Sequence, residues 1–172
     1  VLLTGLPASG KSSLAQALHA QLFARRVNSL VLDGDVLRTG LNCDLGFCDS
    51  DRDENIRRAA ELAALLVDNG QVVILAMIAP LARQRALLAD RLGADFIEVW
   101  CNSPLAICEA RDPKGHYARA RAGQLAGFTG VSAPYEPPQH AAMVIETGEQ
   151  PLHRCVEQLL GWLQDHGRMP RP

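Results

Sequence analysis

The chain has 172 residues, 48% hydrophobic and 21% charged, enough apolar content for one globular domain with a full core and too much for a disordered or low-complexity chain. Seventeen basic residues against nineteen acidic leave a formal charge of −2, which excludes the basic excess of a nucleic-acid or membrane-surface binder. No apolar run reaches the ~20 residues of a membrane helix, and the five cysteines include no C-x-x-C pair, so a reduced, cytoplasmic setting is expected. Val1 already lies inside a strand-like run, which reads as a domain cut from a longer chain.

Strand-length apolar runs alternate with helix-period segments along the chain. Val1–Thr4 predicts a strand, followed by a Gly-rich turn and a helix over about 11–25. Asn28–Leu32 predicts a second strand, ending in the acidic turn Asp33-Gly34-Asp35. A long helix is expected from about Asp51 to Asn69, capped by Asp49 or Ser50 and ended at Gly70, with Ile56, Ala60, Ala63 and Val67 forming one core-facing stripe. Gln71–Ala76 is too continuously apolar for a half-exposed strand and predicts an interior parallel strand. A helix over Pro80–Leu92, a strand over Asp95–Trp100 and a short helix from Pro104 come next. Residues 111–139 break the pattern with Gly, Pro and Arg. Strand Ala142–Glu146 and helix Pro151–Gln164 close the domain. Five strands with helical crossovers predict an α/β fold, a five-stranded parallel sheet covered on both faces, in a single domain over residues 1–172.

Gly5-Leu6-Pro7-Ala8-Ser9-Gly10-Lys11-Ser12 matches G-x-x-x-x-G-K-[ST] between a predicted strand and a predicted helix, the context that the motif needs. Its glycines let backbone N–H groups wrap an anion at a helix N-terminus. Lys11 is expected on the β- and γ-phosphates of a nucleoside triphosphate, Ser12 on Mg²⁺, and Ser13 completes the nucleotide-binding run, which makes the expected fold a P-loop NTPase. Fifteen of the seventeen basic residues are Arg; the two lysines are Lys11 and Lys114.

Asp33 and Asp35 fall at the carboxyl edge of the sheet, where open α/β folds bind ligands. They read either as a working pair, one steering the metal and one taking a proton, or as a polar turn. Arg38, three residues on, can face the same cleft.

DGDVLRTGLNCDLGF, DRDENIRR, ARDPKGHYARARAG, GFTG and PYEPP together resemble the adenylylsulfate kinase family, over the length from Val1 to the last helix. The resemblance implies ATP-dependent phosphorylation of the 3′-hydroxyl of adenosine 5′-phosphosulfate (APS), with Mg²⁺. It implies Asp35 at the acceptor hydroxyl, placed to act as catalytic base, which leaves Asp33 the better suited to the metal shell with Ser12, since Mg²⁺ leans on one or two carboxylates. Arg38, Arg52 and Asn55 fall on the phosphosulfate or ribose, Phe47 and Phe128 on either side of the acceptor adenine, and Ile78, Ala79 and Thr129 at the acceptor. Arg111 falls over the ATP adenine with Thr147 at its border, and Lys114 lies across the transferring phosphoryl. A homodimer, and fusion to ATP sulfurylase, are also implied.

Residues 111–139 then read as a mobile lid, with Gly115, Gly123, Gly127 and Gly130 supplying flexibility and the lid excluding water. Arg119 and Arg121 read equally as a solvated face. Cys43 and Cys48 are expected to be small, half-buried fillers. The sequence departs from the family at Ile78-Ala79-Pro80, where a serine is common, at His116 in place of Leu, and at Val36 in place of Asn. Two other readings stand beside an active kinase: a nucleotide-binding regulatory or structural domain with little turnover, and a P-loop kinase for another hydroxyl metabolite.

Overall fold

The structure, a computed structural model, describes residues 1–169. Its sheet is built from β1 (Leu2–Thr4), β2 (Ser29–Asp33), β3 (Val72–Ala76), β4 (Glu98–Asn102) and β5 (Met143–Glu146). All neighbours are parallel, in the order β2-β3-β1-β4-β5. The connections are α1 (Lys11–Ala24), α2 (Gly34–Thr39), α3 (Asp49–Asp68), α4 (Ala82–Leu92), α5 (Leu105–Arg111) and α6 (His116–Arg121), and α7 (Leu152–Asp165) ends the fold. β1 lies at the centre, so the loop leaving its carboxyl end sits mid-edge, where the chain has room for ligands on both sides.

Strand periodicity divides the core in two. Leu3, Ile74, Val99 and Ile145 face Leu14, Leu18 and Leu22 of α1 and Leu159 and Leu163 of α7. Leu2, Val73 and Leu75 face Ile56, Ala60 and Ala63 of α3 and Leu88 of α4. Neighbouring residues of β1 and β3 thus serve opposite layers, which is why both strands are apolar throughout. Each fully buried Leu contributes about 1.5–3 kcal/mol of transfer free energy.

Element boundaries differ from the sequence expectation in several places. β4 starts three residues later than Asp95, because Gly93–Asp95 closes a 3-10 turn with Phe96 N–H donating to Gly93 O at 3.1 Å. α4 starts at Ala82 rather than Pro80. α3 starts at Asp49, with Cys48 in the extended N-cap position and no side-chain cap. Gly70 has φ +78°, the left-handed conformation expected just past a helix end. The acidic turn after β2 is itself helical: Asp33 caps α2 by accepting the Asp35 N–H at 2.9 Å. The 111–139 segment is less irregular than its composition implies. It contains α6, entered through Gly115 at φ +64°, and a turn in which Phe128 O accepts the N–H groups of Val131, Ser132 and Ala133.

Candidate active site

The loop between β1 and α1 is held in shape by its glycines. A Cβ on Gly5 would stand 2.5 Å from Cys101 O and 2.7 Å from Ser9 Oγ, so no other residue fits. Gly10, at φ +94°, leads directly into α1. Lys11 is 8% exposed and its Nζ donates to Gly5 O at 3.0 Å and Leu6 O at 2.6 Å. Burial pushes its pKa down. The ammonium rests on loop carbonyls, a partnership it can exchange for phosphate oxygens lying on the same loop. Among the described residues the chain's other lysine, Lys114, is on the lid, so each wall of the cleft has one compact cation.

Beside the loop, Ser12 donates its hydroxyl hydrogen to Asp33 Oδ2 at 2.5 Å, while Asp33 Oδ1 caps α2. Hydroxyl and carboxylate oxygens meeting at a phosphate loop are the hard-donor set Mg²⁺ takes, one or two protein oxygens with water and phosphate completing its shell. No cluster of three or more His, Cys, Asp or Glu side chains occurs among the described residues, so the donor set fits a phosphate-bound ion rather than a protein cage.

Asp35, in the first turn of α2, has a largely exposed side chain, and Lys114, between α5 and α6, forms an ion pair with it. Lys114 and Asp35 are 79 residues apart in sequence, so only the tertiary fold brings them together.

The arginines predicted for the acceptor are gathered around Phe47. Arg38 lies over its ring at 4.4 Å from the centroid, and Arg52 at 5.9 Å. Arg38 donates to Gly46 O at 2.8 Å; Arg52 donates to Phe47 O at 2.8 Å, to Gly127 O at 2.6 Å and to Thr129 Oγ1 at 3.4 Å. Neither forms an ion pair among the described residues. Partial burial and then the neighbouring Arg52 lower the pKa of Arg38, against the opposing pull of Asp35 and Asp51. A fork-shaped guanidinium pair of this kind suits a phosphate or sulfate group. Phe47 is 68% exposed, so it is a surface platform rather than a core aromatic. Phe128 is half-buried and meets Tyr117 edge-on at 5.0 Å. Arg52 joins the Phe47 turn to the Phe128 turn.

Asn55 is buried, and its Oδ1 accepts from Asn42 Nδ2 at 2.9 Å. That leaves its own Nδ2 as the group free for a ligand, a narrower role than an open polar side chain. Ala79 is buried at φ +40°, with its carbonyl accepting from Arg85 Nη1 at 3.0 Å and Ile78 O accepting from Thr4 Oγ1 at 2.6 Å. Arg111 donates to Thr147 O at 2.8 Å and to Ala8 O at 3.4 Å, placing both predicted ATP-side residues against the phosphate loop. Arg121 pairs with Glu109, and Arg119 is exposed.

Cys43 and Cys48 are exposed, contrary to the half-buried filler role expected of them; the turn between α2 and α3 carries both at the surface. Sequence reasoning also passed over four site-supporting residues. Tyr117, Tyr135, Arg85 and Asn42 act through contacts 13 to 131 residues away, or within one buried turn, and no local spacing signals them.

A family model described as adenylylsulphate kinase matches residues 1–146. The chain belongs to the adenylylsulphate kinase family. An adenylyl-sulfate kinase of Paraburkholderia xenovorans is 51% identical over 98% of this chain and 94% of its own. The structure of the Mycobacterium tuberculosis APS kinase in complex with AMPPNP and APS superposes with a TM-score of 0.92 at 43% identity, covering 95% of both chains. A hexameric APS kinase from Thiobacillus denitrificans superposes at 0.73 with 28% identity over 98% of this chain and 29% of that one. Membership gives the five-stranded P-loop fold its family context. Among the described residues, no helix of this adenylylsulphate kinase family member is long and apolar enough to cross a membrane.

Proposed function

We propose that the cleft transfers the γ-phosphoryl of ATP to the 3′-hydroxyl of APS, giving 3′-phosphoadenosine 5′-phosphosulfate for sulfate assimilation. The observation that carries this reading is the Arg38–Arg52 pair. Two guanidiniums that form no ion pair among the described residues lie against an exposed aromatic ring, and a nucleotide with an anionic head satisfies both the charge and the ring. Family membership supports the same substrates.

The donor phosphates lie in the loop Gly5–Ser12, with Ser13 adjoining, Lys11 on the β- and γ-phosphates, and Arg111 and Thr147 along the ATP base. Ser12 and Asp33 would hold Mg²⁺, which would neutralise charge on the phosphates. Arg38, Arg52 and the Asn55 amide hold the acceptor's phosphosulfate and ribose. Phe47 and Phe128 face its adenine, and Ile78, Ala79 and Thr129 border it. Asp35 orients the 3′-hydroxyl and accepts its proton. Lys114, already on Asp35, is placed to balance negative charge on the phosphoryl group in transit. Residue 79 has no hydroxyl and cannot carry a phosphate, and direct in-line transfer suffices, because phosphoryl transfer depends mainly on positioning and charge stabilisation. The enzyme acts in the cytoplasm as a homodimer, a reading that rests on family membership alone.

The test is ADP release by purified protein with Mg-ATP, with and without APS. APS-dependent release is expected, with gluconate and free nucleosides inert. Nucleotide binding without turnover would favour a regulatory domain instead. Phe128→Ala is expected to weaken APS binding by ~1–3 kcal/mol, the loss typical of one base–aromatic stack, with ATP affinity nearly unchanged. Calorimetric titration of both nucleotides checks this. Normal APS affinity with a lowered melting temperature would make Phe128 a packing residue only.

A further inference from the structure

Tyr117 stands between the two substrate sites and belongs to neither set of predicted contacts. It is 2% exposed, on α6 of the lid. Its hydroxyl donates to Pro7 O of the phosphate loop at 3.0 Å, across 110 residues of sequence. Its ring meets the Phe128 ring edge-on, centroids 5.0 Å apart and planes at 87°. Its backbone N–H is fixed by Asp112 Oδ1 at 3.1 Å, and Asp112 Oδ2 takes the Ala118 N–H at 3.0 Å, so the Asp112 carboxylate anchors the start of α6. Gly130, two residues past Phe128, has φ +89°, and a Cβ there would stand 2.9 Å from Leu6 Cδ2 of the phosphate loop.

We infer that Tyr117 is a positioning residue for both substrates: its hydroxyl holds the Pro7 peptide of the ATP-phosphate loop, and its ring sets the angle of Phe128 against the acceptor base. The inference rests on the proposed placement of Phe128 at the APS adenine. Its physical basis is that one buried, rigid side chain with two χ angles makes both contacts. The Pro7 carbonyl belongs to a loop whose peptide orientations decide where its N–H groups point, so fixing that peptide helps aim the donors at phosphate. An edge-to-face neighbour fixes the tilt of Phe128, and a tilted ring loses overlap with a stacked purine. The lid therefore contributes to donor geometry as well as acceptor geometry when it docks.

The two halves of Tyr117 separate chemically. Tyr117→Phe keeps the ring and removes only the hydroxyl. It is expected to weaken binding of a non-hydrolysable ATP analogue, measured without acceptor, by about two- to tenfold, the range for one lost hydrogen bond. The KM for APS should stay within about twofold of the parent, because the edge contact remains. Tyr117→Leu removes both features and is expected to raise the APS KM by about fivefold or more in addition. A merely structural residue would lower the melting temperature of both variants and leave these constants unmoved. Parental ATP-analogue affinity in Tyr117→Phe overturns the inference, whatever Tyr117→Leu does. If the unaltered protein shows no APS-dependent turnover, the acceptor assignment fails, while the analogue titration still decides the hydroxyl's role at the donor loop.

Discussion

Asp35→Asn is expected to lower APS-dependent turnover by about 10²-fold or more, on the scale of a lost general base, while ATP affinity changes little. A ribose hydroxyl is a poor nucleophile at neutral pH, and Asn keeps the shape and a hydrogen bond but accepts no proton as a carboxylate does. The two carboxylates are told apart by their surroundings. Asp33 spends Oδ1 on the α2 cap and Oδ2 on Ser12, which ties it to the phosphate loop and to the metal position. Asp35 has a largely exposed carboxylate whose partner is the lid ammonium of Lys114. Asp33→Asn is accordingly expected to shift the Mg²⁺ requirement upward. Steady-state rates for both variants across a Mg²⁺ series check the assignment. An Asp35→Asn enzyme with parental turnover, or one restored by excess Mg²⁺, would exchange the two roles.

Lys11→Ala is expected to reduce turnover well over tenfold, through loss of the cation that draws the β- and γ-phosphates into line. The ammonium also bridges Gly5 O and Leu6 O, so its removal loosens the loop as well. Thermal denaturation of the variant, run beside the rate measurement, separates those contributions. A modest fall in melting temperature with a large fall in rate is the expected pattern. Near-parental APS-dependent turnover would sink the phosphate-loop assignment.

Much of the fold was legible in the chain order of residues, because the signals are local. Leu2 and Leu3, like Val73 and Ile74, must serve two layers at once, and their continuous apolar character marks interior parallel strands. The phosphate loop was legible for a similar reason: backbone approach to an anion demands glycine at Gly5 and Gly10 and a lysine directly after, all within eight residues. Boundaries were less legible. The start of β4 depends on a 3-10 turn at Gly93 that no periodicity announces, and α6 lies in a stretch whose Arg, Gly and Pro content resembles a loop.

The site divides along the same line. Residue type and motif spacing by themselves pointed to the parallel α/β fold and the phosphate loop, and resemblance to the family supplied which side chains could act on an anionic nucleotide. Only the tertiary structure decided how those side chains are paired: Lys114 on Asp35, Arg52 joining the Phe47 and Phe128 turns, Arg111 on Thr147 O, and Tyr117 between Pro7 and Phe128. It also put Cys43 and Cys48 at the surface. The physical reason is range. Helix period, strand alternation and glycine turns act over a few residues, whereas an ion pair 79 residues apart forms only after the sheet has fixed its loops and the lid has docked on them.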